Sequence, residues 1–287
     1  MDADRQPFDG YALDDAGGPV VLSVPHAGRD YPLPLRAALR VPLEALRPLE
    51  DRHVDTLALA ARRHETMLVQ RRARAWIDLN RAEHERDPAI DAGADRHAAP
   101  HPSAKVRGGL GLIPRRVPIA GEIWRRRFEG DEIASRILHD YRPYHAALSA
   151  ALKQTQARYG VAILLDLHSM PPLGRGLPRI VLGDRFGRSA GARFVHRVEA
   201  VAAQAGVTTS LNSPYAGGHI LDRHAHVAGG FHAIQVEFDR SLYLDAALDQ
   251  PGEGLAAMAA LLRGMIDSLV DEALAPGDDR FVALAAE

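Results

Sequence analysis

The chain has 287 residues, enough for one large α/β domain or two small ones. Hydrophobic residues make up 46% and the formal net charge is −2, which indicates a globular protein and argues against general nucleic-acid binding. Cysteine is absent, so disulfides and zinc–thiolate sites are excluded and any metal must use His, Asp or Glu. The stretch Met1-Asp2-Ala3-Asp4-Arg5 is polar, no apolar signal segment follows it, and no apolar run is long enough to span a bilayer; a cytoplasmic protein without a membrane partner is expected.

In chain order, residues 20–24 (Val-Val-Leu-Ser-Val) read as the first core strand, ended by Pro25-His26-Ala27-Gly28. Residues 51–64 carry Val54, Leu57, Ala58 and Ala61 at helical spacing. Residues 66–69 and 75–79 read as two short strands. Residues 80–118 are rich in Arg, His, Pro and Gly with little periodicity, a long excursion of the kind that is usually functional or mobile. Residues 131–159 form a long helical pattern that Pro143 should kink or divide. In residues 162–170 an aliphatic run ends abruptly in Asp166, His168 and Ser169. The run reads as a buried parallel strand whose polar end lies at the carboxyl edge of a sheet, where open α/β folds place their ligands. Strands at 179–184, 208–211 and 233–238 and helices at 189–205 and 252–273 complete the pattern, with Gly206 a C-cap and Pro276-Gly277 beyond the last helix. Strands alternating with helices predict an α/β fold, a mixed, mainly parallel sheet with helices on both faces. No internal repeat or linker divides it, so residues 1–287 are expected to form one domain.

Three strand ends carry chemistry: Pro25-His26, Asp166-Leu167-His168-Ser169 and Val236-Glu237-Phe238-Asp239-Arg240. Two histidines and a carboxylate at neighbouring strand ends suit a catalytic zinc with one open position. Asp51 and Asp55, one helical turn apart, are the candidates for the third ligand, one binding the metal and the other orienting a ligand. Glu237 lies inside an apolar strand, where an ionised carboxylate needs a partner; facing a water it is a general base, and paired with Arg240 it is structural. Asn80 and Arg81 end a strand side by side and offer a planar fork plus an amide for a substrate carboxylate. Tyr215-Ala216-Gly217-Gly218-His219 is a loop in which backbone can approach a ligand. Residues 183–187 do not fit a phosphate loop, and no GxSxG elbow is present, which disfavours a serine hydrolase.

Taken in order, Val24-Pro25-His26-Ala27-Gly28, Asp51-Arg52-His53-Val54-Asp55, Asp78-Leu79-Asn80-Arg81, Pro143-Tyr144-His145, Asp166-Leu167-His168-Ser169, Gly217-Gly218 and Val236-Glu237-Phe238 resemble the N-formylglutamate amidohydrolase family. That family looks related to the zinc carboxypeptidases and aspartoacylases, so the resemblance implies a zinc-exopeptidase-like sandwich, His168 as a ligand, Asn80 and Arg81 on the substrate carboxylate, and Glu237 activating water. The implied reaction is hydrolysis of an N-acyl amino acid amide, N-formyl-L-glutamate to formate and L-glutamate, around one zinc or another divalent ion held by His26, His168 and Asp51 or Asp55. A carboxypeptidase, another N-acyl amino acid deacylase and a silent amino-acid-binding protein are the alternatives. Arg115, Arg116, Arg185 and Arg223 are the candidates for a second substrate carboxylate, and residues 97–118 for a cover over the pocket.

Overall fold

The computed structural model describes residues 7–94 and 103–275. Nine strands are present among them: β1 (Phe8–Tyr11), β2 (Val20–Val24), β3 (Thr66–Gln70), β4 (Arg116–Val117), β5 (Gly121–Glu122), β6 (Ala162–Met170), β7 (Ile180–Gly183), β8 (Thr209–Leu211) and β9 (Phe231–Asp239). The helices are α1 (Leu33–Ala38), α2 (Val54–Ala61), α3 (Ala104–Arg107), α4 (Gly130–Arg136), α5 (Arg142–Tyr159), α6 (Ala192–Gln204), α7 (His219–His224) and α8 (Leu255–Leu274). Seven strands form one sheet in the order β1-β3-β2-β6-β9-β7-β8, and β4 and β5 pair separately. β3, β2, β6 and β9 run parallel; β1 joins β3 and β7 joins β9 antiparallel, so the sheet is mixed and mainly parallel as expected. The edge strand β1 was not foreseen from the sequence pattern.

Strand alternation divides the core into two layers. Val20, Leu22 and Val24 of β2, Ile163, Leu165 and Leu167 of β6, and Ile234, Val236 and Phe238 of β9 pack under α2, α6 and α8. Val21, Ala162, Leu164 and Ala233 face the other way, under α5, α7 and the long loops. The helices earn their places by period: α6 buries Phe194, Val195, Val198 and Ala202 on one stripe, and α5 ends at Gly160, whose φ of 76° gives the left-handed cap. None of the helices among the described residues is long and apolar enough to cross a membrane.

Three expectations need correction. Residues 75–79 are not a strand: Trp76 N bonds Ala73 O at 2.8 Å and Asp78 N bonds Leu112 O at 2.8 Å, so the chain turns away from the sheet. Ala75, Ile77 and Leu79 are all buried against the second layer, which imitates strand alternation without a ladder. Helix α2 begins at Val54 rather than 51, because His53 adopts a left-handed φ of 57° that no helix propagates. Pro143 divides the long helical pattern into α4 and α5 only by a change of winding, not by a break. It sits in the first turn of α5, and the turn before it (Ile137–Tyr141) widens to π geometry, absorbing the missing N–H.

The parallel strands β2, β3, β6 and β9 all end at one edge. From β2 the chain departs toward β3, and from β6 toward β7 and β9, so the adjacent ends of β2 and β6 form a switch point, where such sheets open a crevice.

Candidate active site and metal centre

His26 follows β2 by two residues, and its carbonyl accepts a bond from Asp51 N at 3.0 Å, tying the loop before α2 to the strand end. On β6 and β9 the register sets Asp166 opposite Gln235 and His168 opposite Glu237, and on β2 it sets Ser23 opposite Asp166. All five share the face covered by α5 and α7. That face is apolar at the start of each strand and polar at its end.

Among the described residues His26, Asp51 and His168 form a buried group whose donor atoms lie within 4.8 Å of one another. His168 Nδ1 is 3.0 Å and His26 Nδ1 3.6 Å from the same oxygen, Asp51 Oδ2. Each ring is clamped from behind: His26 Nε2–H donates to Asp78 Oδ1 at 2.7 Å, and His168 Nε2–H to Asp166 Oδ2 at 2.9 Å. A carboxylate on the far nitrogen fixes the tautomer and turns the Nδ1 lone pair inward, as behind many metal-bound histidines. His26 Nδ1 is buried with no hydrogen-bond partner. An orphaned lone pair aimed at an imidazole and a carboxylate oxygen is what a cation satisfies. Donors held about 2.0–2.2 Å from one tetrahedral ion stand roughly 3.3–3.6 Å apart, close to the 3.0 and 3.6 Å that separate the two imidazole nitrogens from Asp51 Oδ2, and two imidazoles with a carboxylate are a donor set suited to a divalent metal.

The clamps are themselves secured. Asp166 accepts from Ser23 Oγ at 2.8 Å. Asp78 accepts from Arg74 Nε at 2.9 Å and from Asn80 N at 2.8 Å. Burial alone raises Asp78, but Arg74 and His26 hold it well below the usual carboxylate range. Burial favours neutral His168, yet Asp166 and Asp51 hold that imidazole well above its ordinary value; a proton there occupies the place a metal takes. Glu237 is pushed up to about 7, by burial first and then by Asp51 and Asp166, while His168 and Arg74 pull it down. It accepts from Gln235 Nε2 at 2.9 Å.

Asp55 is not in this group. Arg29 grips it with two bonds of 2.7 and 3.1 Å, and Arg71 stands 3.7 Å away. The left-handed turn at His53 is the cause: Asp51 precedes the helix, so the two acids share no helical face. Arg240, considered as a partner for Glu237, instead donates to Ser169 Oγ at 3.1 Å and to Asp51 Oδ1 at 3.3 Å.

Asn80 and Arg81 stand beside the cluster on a heavily braced turn. Asn80 Oδ1 accepts from Ile220 N at 2.9 Å, and its Nδ2 donates to Gln235 Oε1 at 3.4 Å. Arg81 spends Nε on Leu110 O (2.8 Å) and Nη1 on Asn80 O (2.7 Å). The turn is held from α5 and the turn before it by Tyr141, donating to Arg81 O at 2.8 Å, and by His145 Nε2, 3.1 Å from Leu79 O. His145 Nδ1 in turn lies 2.9 Å from His224 Nε2. Gly218 makes room for this turn, since a Cβ there would lie 2.4 Å from Asn80 Oδ1, and with Gly217 it lines the adjoining cavities.

A cavity of about 380 Å³ opens over His26, Asp51, His168 and Glu237, walled by Arg74, Asn80, Arg81 and Lys105. An outer cavity of about 640 Å³ shares Asn80, Arg81, Lys105, Gly217 and Gly218 with it. Sequence reasoning missed Arg74, Asp78, Lys105 and Gln235; a buried acid two residues before Asn80 was the one available signal, and it marks Asp78. Of the arginines considered for a second carboxylate, Arg115 pairs with Asp87 and Glu122, Arg116 with Glu122, and Arg185 with Asp222. Arg223 lines neither cavity. Residues 97–102 of the expected cover lie outside the described residues; Lys105, Leu110 and Pro118 from its remainder line the inner cavity.

A buried His–Asp–His set beside a glutamate, at the carboxyl edge of an open α/β sheet and under a cavity lined by Arg74, Arg81, Lys105 and Arg240, is an arrangement that can hold a metal ion and activate water. The family model described as N-formylglutamate amidohydrolase matches residues 18–244. N-formylglutamate deformylases of Pseudomonas putida and Pseudomonas aeruginosa are 30% and 28% identical, each over 92% of this chain and 95% of its own length. The crystal structure of N-formylglutamate amidohydrolase from Ralstonia eutropha JMP134 superposes with a TM-score of 0.82 at 32% identity, covering 98% of this chain and 100% of that one. A gene product of Agrobacterium tumefaciens shares the fold, with a TM-score of 0.67 at 19% identity over 94% of this chain and 97% of its own. The chain belongs to the N-formylglutamate amidohydrolase family.

Proposed function

We propose that the protein is a zinc-dependent deformylase that hydrolyses N-formyl-L-glutamate to formate and L-glutamate in the cytoplasm. The observation that carries this reading is the convergence of His26 Nδ1, His168 Nδ1 and Asp51 Oδ2, each histidine backed by a carboxylate, next to Glu237.

His26, His168 and Asp51 hold the ion in this reading. Bound there, zinc supplies Lewis acidity that activates water and polarises the acyl carbonyl. Glu237 takes the proton as the water oxygen attacks the formyl carbon, then delivers it to the nitrogen as the C–N bond breaks. Burial raises this carboxyl group above its ordinary value, which favours taking up and handing on a proton, and Gln235 fixes its orientation. Arg74 bonds Asp78 through Nε alone, and its charge acts on both Asp51 and Glu237, so its remaining donors serve the developing oxyanion. Arg81, with Asn80, holds the α-carboxylate; two of its nitrogens are already committed to backbone carbonyls, which leaves one edge of a rigid fork for the substrate.

The test is formate release from N-formyl-L-glutamate by chelator-stripped and zinc-restored protein, with N-acetyl-L-glutamate and glutamyl dipeptides as competitors. Restoration by zinc and a preference for the formyl substrate are expected. Equal rates with and without metal overturn the zinc assignment, and faster cleavage of a dipeptide overturns the deformylase assignment.

A further inference from the structure

We propose that Lys105 is the anchor for a second substrate carboxylate and so selects N-acyl dicarboxylic amino acids over neutral ones; the inference rests on the deformylase reading above. Four cationic side chains line the inner cavity: Arg74, Arg81, Lys105 and Arg240. Three of them have acceptors in the protein. Arg240 is held by Ser169 and Asp51, Arg81 by the carbonyls of Leu110 and Asn80, and Arg74 by Asp78. Among the described residues the ammonium of Lys105 has neither a carboxylate at ion-pair distance nor a hydrogen-bond acceptor. The arginines that the sequence offered for this role are spent on other acids or lie elsewhere. Lys105 is therefore the one cavity cation, among the described residues, whose charge the protein itself leaves unmatched.

Its placement relative to Arg81 is fixed through a single residue. Leu110 N bonds Lys105 O at 2.8 Å, and Leu110 O accepts Arg81 Nε at 2.8 Å, so one residue ties the backbone that carries Lys105 to the Arg81 guanidinium. The short helix α3 that carries Lys105 is capped by Ser103, which accepts from Val106 N at 3.3 Å and donates to Glu85 at 2.7 Å. Lys105 also lines the outer cavity with Arg81, placing it where the two spaces meet. Burial and the charges of Arg81 and Arg74 push its ammonium below its ordinary value, and a bound anion relieves that repulsion. With the α-carboxylate on Arg81, a flexible side-chain carboxylate reaches a compact charge with three rotatable donors, which tolerates its mobility better than a fork does.

The test compares kcat/KM for N-formyl-L-glutamate and its neutral isostere N-formyl-L-glutamine in the zinc-loaded wild type, Lys105→Met and Lys105→Arg. A charge-assisted contact gives a glutamate-over-glutamine selectivity of about 10- to 100-fold. That ratio should collapse toward one in Lys105→Met, chiefly through KM, and largely return in Lys105→Arg. Parallel losses on both substrates, or an unchanged ratio, overturn the proposal. Calorimetric titration of the same proteins with L-glutamate and L-glutamine gives a readout that does not depend on turnover. Should the wild type hydrolyse neither formyl substrate, the deformylase reading fails. In that case, glutamate binding preferred by the wild type and lost in Lys105→Met still supports Lys105 as the anchor, and equal binding of the two amino acids overturns it.

Discussion

Gly218→Ala tests the seat of the substrate anchor. The backbone at Gly218 is extended (φ −113°, ψ −151°), so alanine meets no conformational penalty and the effect is steric alone. The added Cβ would lie 2.4 Å from Asn80 Oδ1 and 2.6 Å from its Cγ and Nδ2, so the amide must retreat by about 1 Å to reach ordinary contact distance. The backbone of Asn80 cannot follow, because its N–H is bonded to Asp78, which His26 and Arg74 also hold. Retreat therefore breaks the 2.9 Å bond from Ile220 N and leaves a buried donor in the first turn of α7 unpaired. An unpaired buried group and overpacking each cost about 1–3 kcal/mol, and since the movement that relieves the overpacking is the one that unpairs the donor, a net loss of about 2–4 kcal/mol is expected in urea unfolding. A displacement of about 1 Å in a positioning group lowers kcat/KM about 10²-fold. Metal content should stay at the wild-type level, since the three atoms nearest the added Cβ all belong to Asn80 and none to His26, Asp51 or His168. Stability within about 0.5 kcal/mol of wild type together with unchanged kinetics would refute the packing argument.

The remaining predictions address the chemistry and its supports. Glu237→Gln should retain zinc and lose about 10² or more in kcat; near-normal turnover removes it as the base. Asp166→Asn and Asp78→Asn should each weaken metal binding by about 10- to 100-fold in chelator competition, because each strips the carboxylate behind a ligand histidine; wild-type affinity refutes the clamp. His145→Phe keeps a ring but releases Leu79 O and His224, so KM should rise several-fold more than kcat falls, with zinc content unchanged; an effect on kcat alone refutes its positioning role. Burial, aided by Arg223, lowers His224 from 6.5 to about 4, so its neutral form stabilises the fold fully above pH 6.5 and that stabilisation is lost as pH falls toward 4. The loss from this residue is about 2 kcal/mol by pH 5, measurable by urea unfolding at pH 7.5 and 5; His224→Gln should shrink the drop by a similar amount, and an undiminished drop refutes the assignment.

The residues legible in the sequence are those that interrupt a regular pattern. His26, His168 and Glu237 break aliphatic runs, and a run of that kind is a buried strand wherever it pairs, so their place at a sheet edge followed from local pattern alone. Asn80 and Arg81 were legible as an adjacent amide and guanidinium, although the strand assigned beneath them is a buried turn; alternation of Ala75, Ile77 and Leu79 reports burial, not a ladder. The choice between Asp51 and Asp55 was closed to sequence because it depends on one backbone angle, at His53, which no periodicity encodes. Lys105 was hidden for a different reason: it lies in a segment with no period, and the role proposed for it rests on its having no acceptor among the described residues.

Long-range register is the remaining part, and it explains how so many charges are buried in one place. Along β6 and β9 one face is apolar through the middle of the strands, at Ile163, Leu165 and Leu167 and at Ile234, Val236 and Phe238, with Ser169 and His232 at its ends. The opposite face turns from Ala162, Leu164 and Ala233 to Asp166, His168, Gln235 and Glu237 at mid-strand. The back face keeps the hydrophobic contribution of these strands, while the front face gives each ionisable group a partner: Ser23 for Asp166 across the β2–β6 register, and, along one strand, Asp166 for His168 and Gln235 for Glu237. A one-residue slip between β6 and β9 would send Glu237, together with Gln235, to the α6–α8 face among aliphatic side chains and away from the charges of His168 and Arg74 that favour its ionised form, at a cost of several kcal/mol. The polar groups that make the site therefore also select the register that builds it.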